Sequence, residues 1–254
     1  MKIESVWLAI YRTQLREPWP TSEGPVKERD CAYLLLDAGF DRAGAGESAP
    51  LPGFGLETFA SSVAALRFAA KFLVGLSVDD LPDALRRLHT LAPVAAAPAA
   101  RHAIDLAMHD LIGMEAGAPI AHLFGGEAAL REVPANATIP RRPAAEIARL
   151  AAQHVANGVT TVKLKVGGAP LAEDLDRLRA LRDGGGDALR IRVDANQAWP
   201  EEEAIASLQA MAPFRIEYAE QPVAADDVEG LARVRRASGV TIAADEAIHD
   251  LASA

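Results

Sequence analysis

Strand-length and helix-length segments alternate along the second half of the chain, and this alternation limits the fold more than any other feature. From about residue 132, short apolar runs near residues 133–139, 161–166, 189–194, 215–220 and 241–245 are separated by segments of helical length. Strands that alternate with helices in this way form βαβ units around a parallel sheet. The second half is therefore predicted to be α/β, as part of a (β/α)8-type barrel.

The first 125 residues have a different pattern, which predicts an α+β domain. Strand-like runs lie near residues 2–12 and 31–37, and helical periodicity extends from about residue 56 to residue 117. Residues 14–29 are rich in proline, glycine and charge, which predicts a mobile loop. We expect an α+β capping domain over residues 1–125 and a partial barrel over residues 126–254, with about five strands.

Ionisable residues mark the ends of four successive strands in the predicted barrel. Lys163 and Lys165 lie near the end of one strand, and Asp194, Glu220 and Asp245 follow at intervals of 29, 26 and 25 residues, counted from Lys165. Each interval is about one βα unit, so these side chains are expected at one level of the barrel. That level is the mouth, where barrel enzymes build their active sites.

This set of side chains suits metal-assisted proton transfer. Three converging carboxylates repel one another, and a bound hard cation relieves the repulsion; Mg²⁺ suits an all-oxygen site best, and Mn²⁺ could substitute. No histidine or cysteine joins the set, which argues against zinc. Lys163 and Lys165 share one face of their strand. Two neighbouring ammonium groups near a cation would lower a lysine pKa and make that lysine a credible general base.

Composition argues against several other classes of protein. The formal net charge of −9 gives no basic surplus for nucleic acid, and the single cysteine excludes an internal disulfide framework. No run reaches the roughly 18 apolar residues of a membrane span, and the apolar stretch at residues 6–11 is too short for a signal peptide. We therefore expect a cytoplasmic protein with a small-molecule partner, bound neither to nucleic acid nor to a membrane.

Four motifs together resemble the enolase superfamily, in its muconate-lactonizing-enzyme subgroup. They are VKLKV at residues 162–166, RVDANQAW at 192–199, EYAEQPV at 217–223 and AADEA at 243–247, while GAGESAP at 44–50 is similar to the family's capping domain. The resemblance implies a Mg²⁺-dependent enzyme that removes the α-proton of a small carboxylate substrate through an enediolate. The metal ligands it implies are Asp194, Glu220 and Asp245.

The resemblance also implies roles for the remaining residues. Lys165 would be the base on one face of the substrate, and Lys163 would tune it and hold the substrate carboxylate. Asn196 would support the metal ligands, and Glu246 would pair with a lysine on the next strand. Specificity is expected in the loops at residues 19–24 and 51–54, with Trp19 as an aromatic wall.

The lysine expected on the next strand would lie one βα unit beyond Asp245, past Ala254. The last two βα units of a closed barrel would also lie beyond that point. We expect a fragment of a longer product or an incomplete relic, catalytically crippled by itself. Barrels of this family often form symmetric homo-oligomers, and a homo-oligomer is an open alternative here.

Three activities are common in the subgroup, and one lysine pair and metal serve all three. The segment VPANATIP at residues 133–140 resembles o-succinylbenzoate synthases, carbon–oxygen lyases of menaquinone biosynthesis that dehydrate 2-succinyl-6-hydroxy-2,4-cyclohexadiene-1-carboxylate. The sequence therefore favours this lyase activity. The alternatives are an N-acyl amino acid racemase or dipeptide epimerase, a muconate cycloisomerase, and a non-catalytic truncated binder of metal and carboxylate.

Overall fold

The structure is a computed structural model that describes residues 1–21, 24–51, 57–248 and 253. The chain divides into two compact units, Met1–Glu132 and Val133–Ala254. Each unit has its own cluster of buried apolar side chains. Within the described residues, no helix is both long enough and apolar enough to cross a bilayer.

The first unit combines an antiparallel sheet of three strands, in the order β1-β2-β3, with helices. Its elements are β1 (Ser5–Thr21), β2 (Gly24–Asp37), β3 (Ala43–Ser48), α1 (Phe59–Leu73), α2 (Leu81–Leu88), α3 (Ala92–Ala95), α4 (Pro98–Ala116) and α5 (Ile120–Gly125). A capping box starts α1, because Thr58 and Ser61 exchange side-chain to backbone hydrogen bonds. Glycines let β3 lie close to α4, since a Cβ at Gly46 would clash with the carbonyl oxygen of Ala103.

The predicted loop at residues 14–29 is wrong, because β1 and β2 continue through it as an antiparallel ribbon. Trp19 pairs with Val26, and the register shifts between residues 14 and 19. An exposed ribbon needs no buried apolar face, so charged residues and prolines are tolerated there. Cross-strand pairing of Arg12 with Asp30, at 2.6 Å between Nε and Oδ1, stabilises the ribbon further.

The second unit is a five-stranded parallel sheet in the order β4-β5-β6-β7-β8, with helices between successive strands. Its elements are β4 (Ala137–Ile139), α6 (Ala144–Ala156), β5 (Thr161–Lys165), α7 (Leu171–Gly185), β6 (Arg190–Asp194), α8 (Glu201–Met211), β7 (Ile216–Glu220), α9 (Val228–Ser238) and β8 (Ile242–Ala243). This order is the βα alternation that the sequence predicts.

The two faces of β5 explain how the sheet positions its charged residues. Val162 and Leu164 are fully buried in the core of the unit, whereas the alternate residues Lys163 and Lys165 are only partly buried. The period of two therefore sends the apolar residues into the core and both lysines to the opposite face. The first strand of the unit is shorter than predicted, because Val133 is 78% exposed and pairing begins only at Ala137.

Candidate active site

The ends of four neighbouring strands bring the predicted site residues together. In the parallel register Lys165 lies beside Asp194, and Asp194 lies beside Glu220. Glu220 pairs in turn with Ala243, so Asp245 follows two residues beyond the last paired position of β8. Four successive strands thus place their charged residues along one edge of the sheet, as the βα intervals predict.

Both lysine ammonium groups contact carboxylates rather than each other. The Nζ atom of Lys163 lies 2.8 Å from Glu220 Oε1 and 3.0 Å from Asp194 Oδ2, and the Nζ atom of Lys165 lies 2.6 Å from Asp194 Oδ2. The side chains are largely withdrawn from water, with Asp194 1% exposed, Glu220 13% and each lysine 19%. Ion pairs this deeply buried are screened little by solvent.

Burial and ion pairing act in opposite directions on the pKa values of this cluster. Burial alone would lower the pKa of Lys163, but hydrogen bonds to Glu220 and Asp194 outweigh it and raise that pKa. Burial would likewise raise the pKa of Asp194, which the two lysines instead hold below its ordinary value. In this structure the pKa of Lys163 is raised because its neighbours are carboxylates, and the lowered lysine pKa expected beside a bound cation stays a prediction.

The pKa values of the other two carboxylates, Glu220 and Asp245, are raised, and neighbouring negative charges contribute to both shifts. Burial raises the pKa of Glu220, and the charges of Asp194 and Asp245 add to the effect. Burial also raises the pKa of Asp245, with further contributions from Glu246 and Asp194. The three predicted metal ligands therefore lie close enough to disfavour one another's ionisation.

The donor chemistry at this edge fits a hard divalent cation. Carboxylate oxygens crowd together, and the ammonium group of Lys163 already bridges Asp194 and Glu220 as a cation would. Among the residues that the structure describes, no three carboxylate, imidazole or thiol groups are arranged to hold a metal ion as they stand. The lysine ammonium groups contact the carboxylate oxygens instead, so metal binding requires them to give way.

Asn196 connects Lys165 to the turn after β8. Its Oδ1 accepts a hydrogen bond from Lys165 Nζ at 2.5 Å, and its Nδ2 donates to Glu246 Oε1 at 3.1 Å. Its backbone N–H also donates to Asp194 Oδ1, so one residue contacts both a lysine and a carboxylate of the cluster. The second carboxylate oxygen of Glu246 is buried and has no hydrogen-bond partner in the described part of the chain.

Trp19 lies on the ribbon of the first unit and is 39% exposed. Its predicted contact with substrate stays a prediction. Of the loops expected to set specificity, residues 22–23 and 52–54 lie outside the described residues.

A buried hydrogen-bond network in the turn after β5 was not predicted from the sequence. Asp174, which is 1% exposed, accepts hydrogen bonds from Gly167 N at 2.8 Å and from Arg177 Nη1 at 2.6 Å, while Arg141 donates to the carbonyl oxygen of Gly167. This network fixes the turn that directly follows the lysine strand. An aspartate in the first turn of a helix is typical of any helix start, so the sequence carried no distinctive signal for it.

Comparison with known proteins adds two family matches that together span most of the chain. Residues 4–125 match the mandelate racemase/muconate lactonizing enzyme N-terminal domain, and residues 146–254 match the enolase C-terminal domain-like family. The antiparallel capping sheet and the parallel α/β sheet agree with these matches. The predicted fold class, an α+β capping domain with an incomplete barrel, is confirmed.

Two relatives show which kinds of enzyme the chain is similar to. The chain is 32% identical to a hydrophobic dipeptide epimerase of Enterococcus faecalis over 252 residues, covering 98% of this chain and 69% of the relative. It is 39% identical to a 3,6-anhydro-alpha-L-galactonate cycloisomerase of Streptomyces coelicolor over 165 residues, covering 65% of this chain and 46% of the relative.

The similarity to a dipeptide epimerase extends to its solved structure. The dipeptide epimerase of Enterococcus faecalis V583, complexed with Mg and the dipeptide L-Leu-L-Tyr, superposes with a TM-score of 0.90 at 31% identity. The match covers 100% of this chain and 70% of the epimerase chain.

Proposed function

The chain belongs to the mandelate racemase/muconate lactonizing enzyme group of the enolase superfamily, and from that premise we propose that its residues remove the α-proton in a racemase or epimerase that acts on dipeptides or N-acyl amino acids. The observation that carries this proposal is the cluster of two lysines and three carboxylates on successive strand ends. Within it, Lys163 bridges Asp194 and Glu220, and Lys165 contacts Asp194. The similarity to a dipeptide epimerase over 98% of the chain supports the substrate class.

Asp194, Glu220 and Asp245 would hold the metal ion. When bound, Mg²⁺ would supply a hard Lewis acid that stabilises the negative charge formed on a substrate carboxylate. Mn²⁺ has similar ligand preferences and would be its replacement. The epimerase of Enterococcus faecalis is complexed with Mg in its solved structure, which supports this choice of metal.

Lys165 would take the α-proton at Nζ, in its neutral form. The hydrogen bonds to Asp194 Oδ2 and Asn196 Oδ1 fix the direction of its Nζ, so the base would be held in place before substrate arrives. Once the contact with Asp194 is released, the Lys165 ammonium group would first give up one proton to water, and the resulting amine would then take the α-proton. Lys163, whose pKa is raised by its carboxylate partners, would stay charged and attract the substrate carboxylate.

The racemase or epimerase proposal takes precedence over the dehydration that VPANATIP favours in the sequence. Relatives matched over nearly the whole chain include the Enterococcus faecalis epimerase, at 32% identity, and a chloromuconate cycloisomerase of Cupriavidus necator, at 30% identity. Epimerases recur among the relatives at this coverage, which favours the epimerase, and cycloisomerisation stays the second candidate.

A substrate panel tests the proposal. The protein is incubated in D₂O with Mg²⁺ and L-Leu-L-Tyr, other dipeptides, N-succinyl amino acids, or 2-succinyl-6-hydroxy-2,4-cyclohexadiene-1-carboxylate. We expect deuterium at the α-carbon of a dipeptide or N-succinyl amino acid, detected by mass and NMR. Loss of water from the cyclohexadiene acid without exchange in the others would replace the proposal with the lyase. Mg²⁺ binding with neither reaction would favour a non-catalytic binder.

A further inference from the structure

Gln221 is next to Glu220 in the sequence and hydrogen-bonds to the backbone of Asp245, and both of those residues are candidate metal ligands. Its own side chain is neutral. It directly follows Glu220 and is fully buried, with a backbone φ of 37°. A non-glycine residue in this left-handed region is strained and persists only where the surroundings hold it. Such a position immediately after a candidate ligand calls for an explanation in terms of contacts.

The carboxamide of Gln221 is engaged on both sides. Its Oε1 accepts hydrogen bonds from the backbone N–H of Asp245 at 2.9 Å and of Ala247 at 3.2 Å, and its Nε2 donates to the carbonyl oxygen of Val223 at 3.0 Å. One side chain from the β7 end thus binds the amides of two residues, Asp245 and Ala247, in the turn after β8. That turn carries the third carboxylate of the candidate site.

The backbone of Gln221 extends the connection to the neighbouring strands. Its N–H donates to the carbonyl oxygen of Ala243 at 2.9 Å, and its carbonyl oxygen accepts from the N–H of Gln197 at 2.7 Å. The turns after β6, β7 and β8 therefore meet at this one residue. Asp194, Glu220 and Asp245 lie on or beside the strand ends that these hydrogen bonds join.

We propose that Gln221 is a positioning residue that sets the backbone of Asp245, so that its carboxylate can join Asp194 and Glu220 around one cation. This inference rests on the proposed metal site. Asp245 lies beyond the end of β8, so the β8 hydrogen bonds alone do not fix its main chain. The Gln221 carboxamide replaces that missing ladder with hydrogen bonds to the amides of Asp245 and Ala247, and it does so without adding charge among the carboxylates.

Substitutions separate positioning from simple packing. Gln221→Met keeps the length and volume of the side chain and removes all three hydrogen bonds. Gln221→Glu keeps an acceptor at Oε1 for the amides of Asp245 and Ala247 while removing the donor to Val223. Gln197→Met is the matched control, because Gln197 Oε1 accepts from Ala225 N at 2.8 Å and so joins two turns without touching Asp245.

Two measurements on the whole chain complete the test. Mg²⁺ affinity is measured by isothermal titration calorimetry, and the exchange of the Asp245 and Ala247 amide protons is measured by NMR with no metal added. For Gln221→Met we expect an affinity loss of about 10–100-fold, the usual cost of removing a residue that orients a metal ligand. We also expect faster exchange of both amides. Gln221→Glu should keep both amides protected, because its acceptor remains; only its amide exchange is compared, because the added carboxylate changes the charge beside Glu220. Gln197→Met should keep both amides protected and stay within about threefold of the unsubstituted chain in affinity.

Equally faster exchange of the two amides in Gln221→Met and Gln221→Glu, or unchanged amide exchange in Gln221→Met, would overturn the proposal in favour of packing. If Gln221→Met does not fold, Gln221→Asn withdraws the amide by one methylene group and should give the same losses. Absence of Mg²⁺ binding in the unsubstituted chain would refute the proposed metal site alone. The amide exchange of the Asp245 turn would still decide the role of Gln221.

Discussion

Replacement of Lys163 by methionine tests whether the charge of this lysine stabilises the folded state through the carboxylates of Asp194 and Glu220. Its ammonium group lies 2.8 Å from Glu220 Oε1 and 3.0 Å from Asp194 Oδ2. At an effective dielectric constant of about 20, each contact represents about 6 kcal/mol of attraction before desolvation is counted. Desolvation offsets much of this, and removal of one partner from a buried ion pair costs about 3–5 kcal/mol. We expect Lys163→Met to lower the free energy of unfolding of the second unit by about that amount.

The assay is urea unfolding in the presence of a chelator, followed by the fluorescence of Trp199. This tryptophan is 5% exposed in the core of the second unit, and replacing Trp7 and Trp19 by phenylalanine removes the other two tryptophan signals. Mg²⁺ at about 100 times its Kd should restore about 2.7 kcal/mol to the variant. The unsubstituted chain should gain less at the same Mg²⁺ concentration, because its ammonium groups compete for the oxygens.

The control is Arg179→Met, which removes an exposed ion pair with Asp176 on α7. Exposed pairs contribute about 0–1 kcal/mol, so this variant should unfold almost like the unsubstituted chain. If Lys163→Met in chelator stays within about 1 kcal/mol of the unsubstituted chain, the reasoning about carboxylate support is refuted.

Three further predictions address the metal site, the turn after β5 and the capping sheet. Asp245→Asn should lower Mg²⁺ affinity at least about tenfold in calorimetry, while Asp226→Asn, which removes an exposed carboxylate of the same unit, should leave it unchanged. Asp174→Leu should destabilise the second unit by about 3 kcal/mol in urea, because it removes the buried acceptor of the Gly167 amide and one of the two carboxylates that pair with Arg177; a loss below about 1 kcal/mol would disprove this. Gly46→Ala should destabilise the first unit by about 1–3 kcal/mol in thermal unfolding, because its Cβ would meet the backbone of α4, and an unchanged midpoint would contradict that packing.

The arrangement of the second unit was predictable because two periodicities coincide there. Alternation within β5 separates Val162 and Leu164 from Lys163 and Lys165, and the repeat of about one βα unit brings Asp194 and Glu220 into register with them. Both signals depend only on backbone geometry. The sequence therefore predicts which side chains share an edge without any knowledge of distances.

The features that the sequence did not predict depend on pairings between distant residues. The ribbon through residues 14–29 is held by cross-strand partners and has no apolar period of its own. The raised pKa of Lys163 follows from oxygens that come from two other strands. The Asp174 carboxylate is buried by the turn at Gly167, and no local pattern distinguishes it from a solvent-exposed acid near a helix start.

We expect Lys165, beside a metal held by the strand-end carboxylates, to exchange the α-proton of an amino-acid-derived carboxylate. In the described part of the chain, the lysines of the cluster come from one strand, so exchange on one face of the substrate is the reaction to measure. The direct measurement is loss of the α-proton signal of each enantiomer of the best panel substrate in D₂O, by NMR. The account predicts exchange of one enantiomer with Mg²⁺, none with chelator, and a rate about 10²–10⁴-fold lower in Lys165→Met. Exchange that persists at full rate in Lys165→Met or in chelator would contradict it.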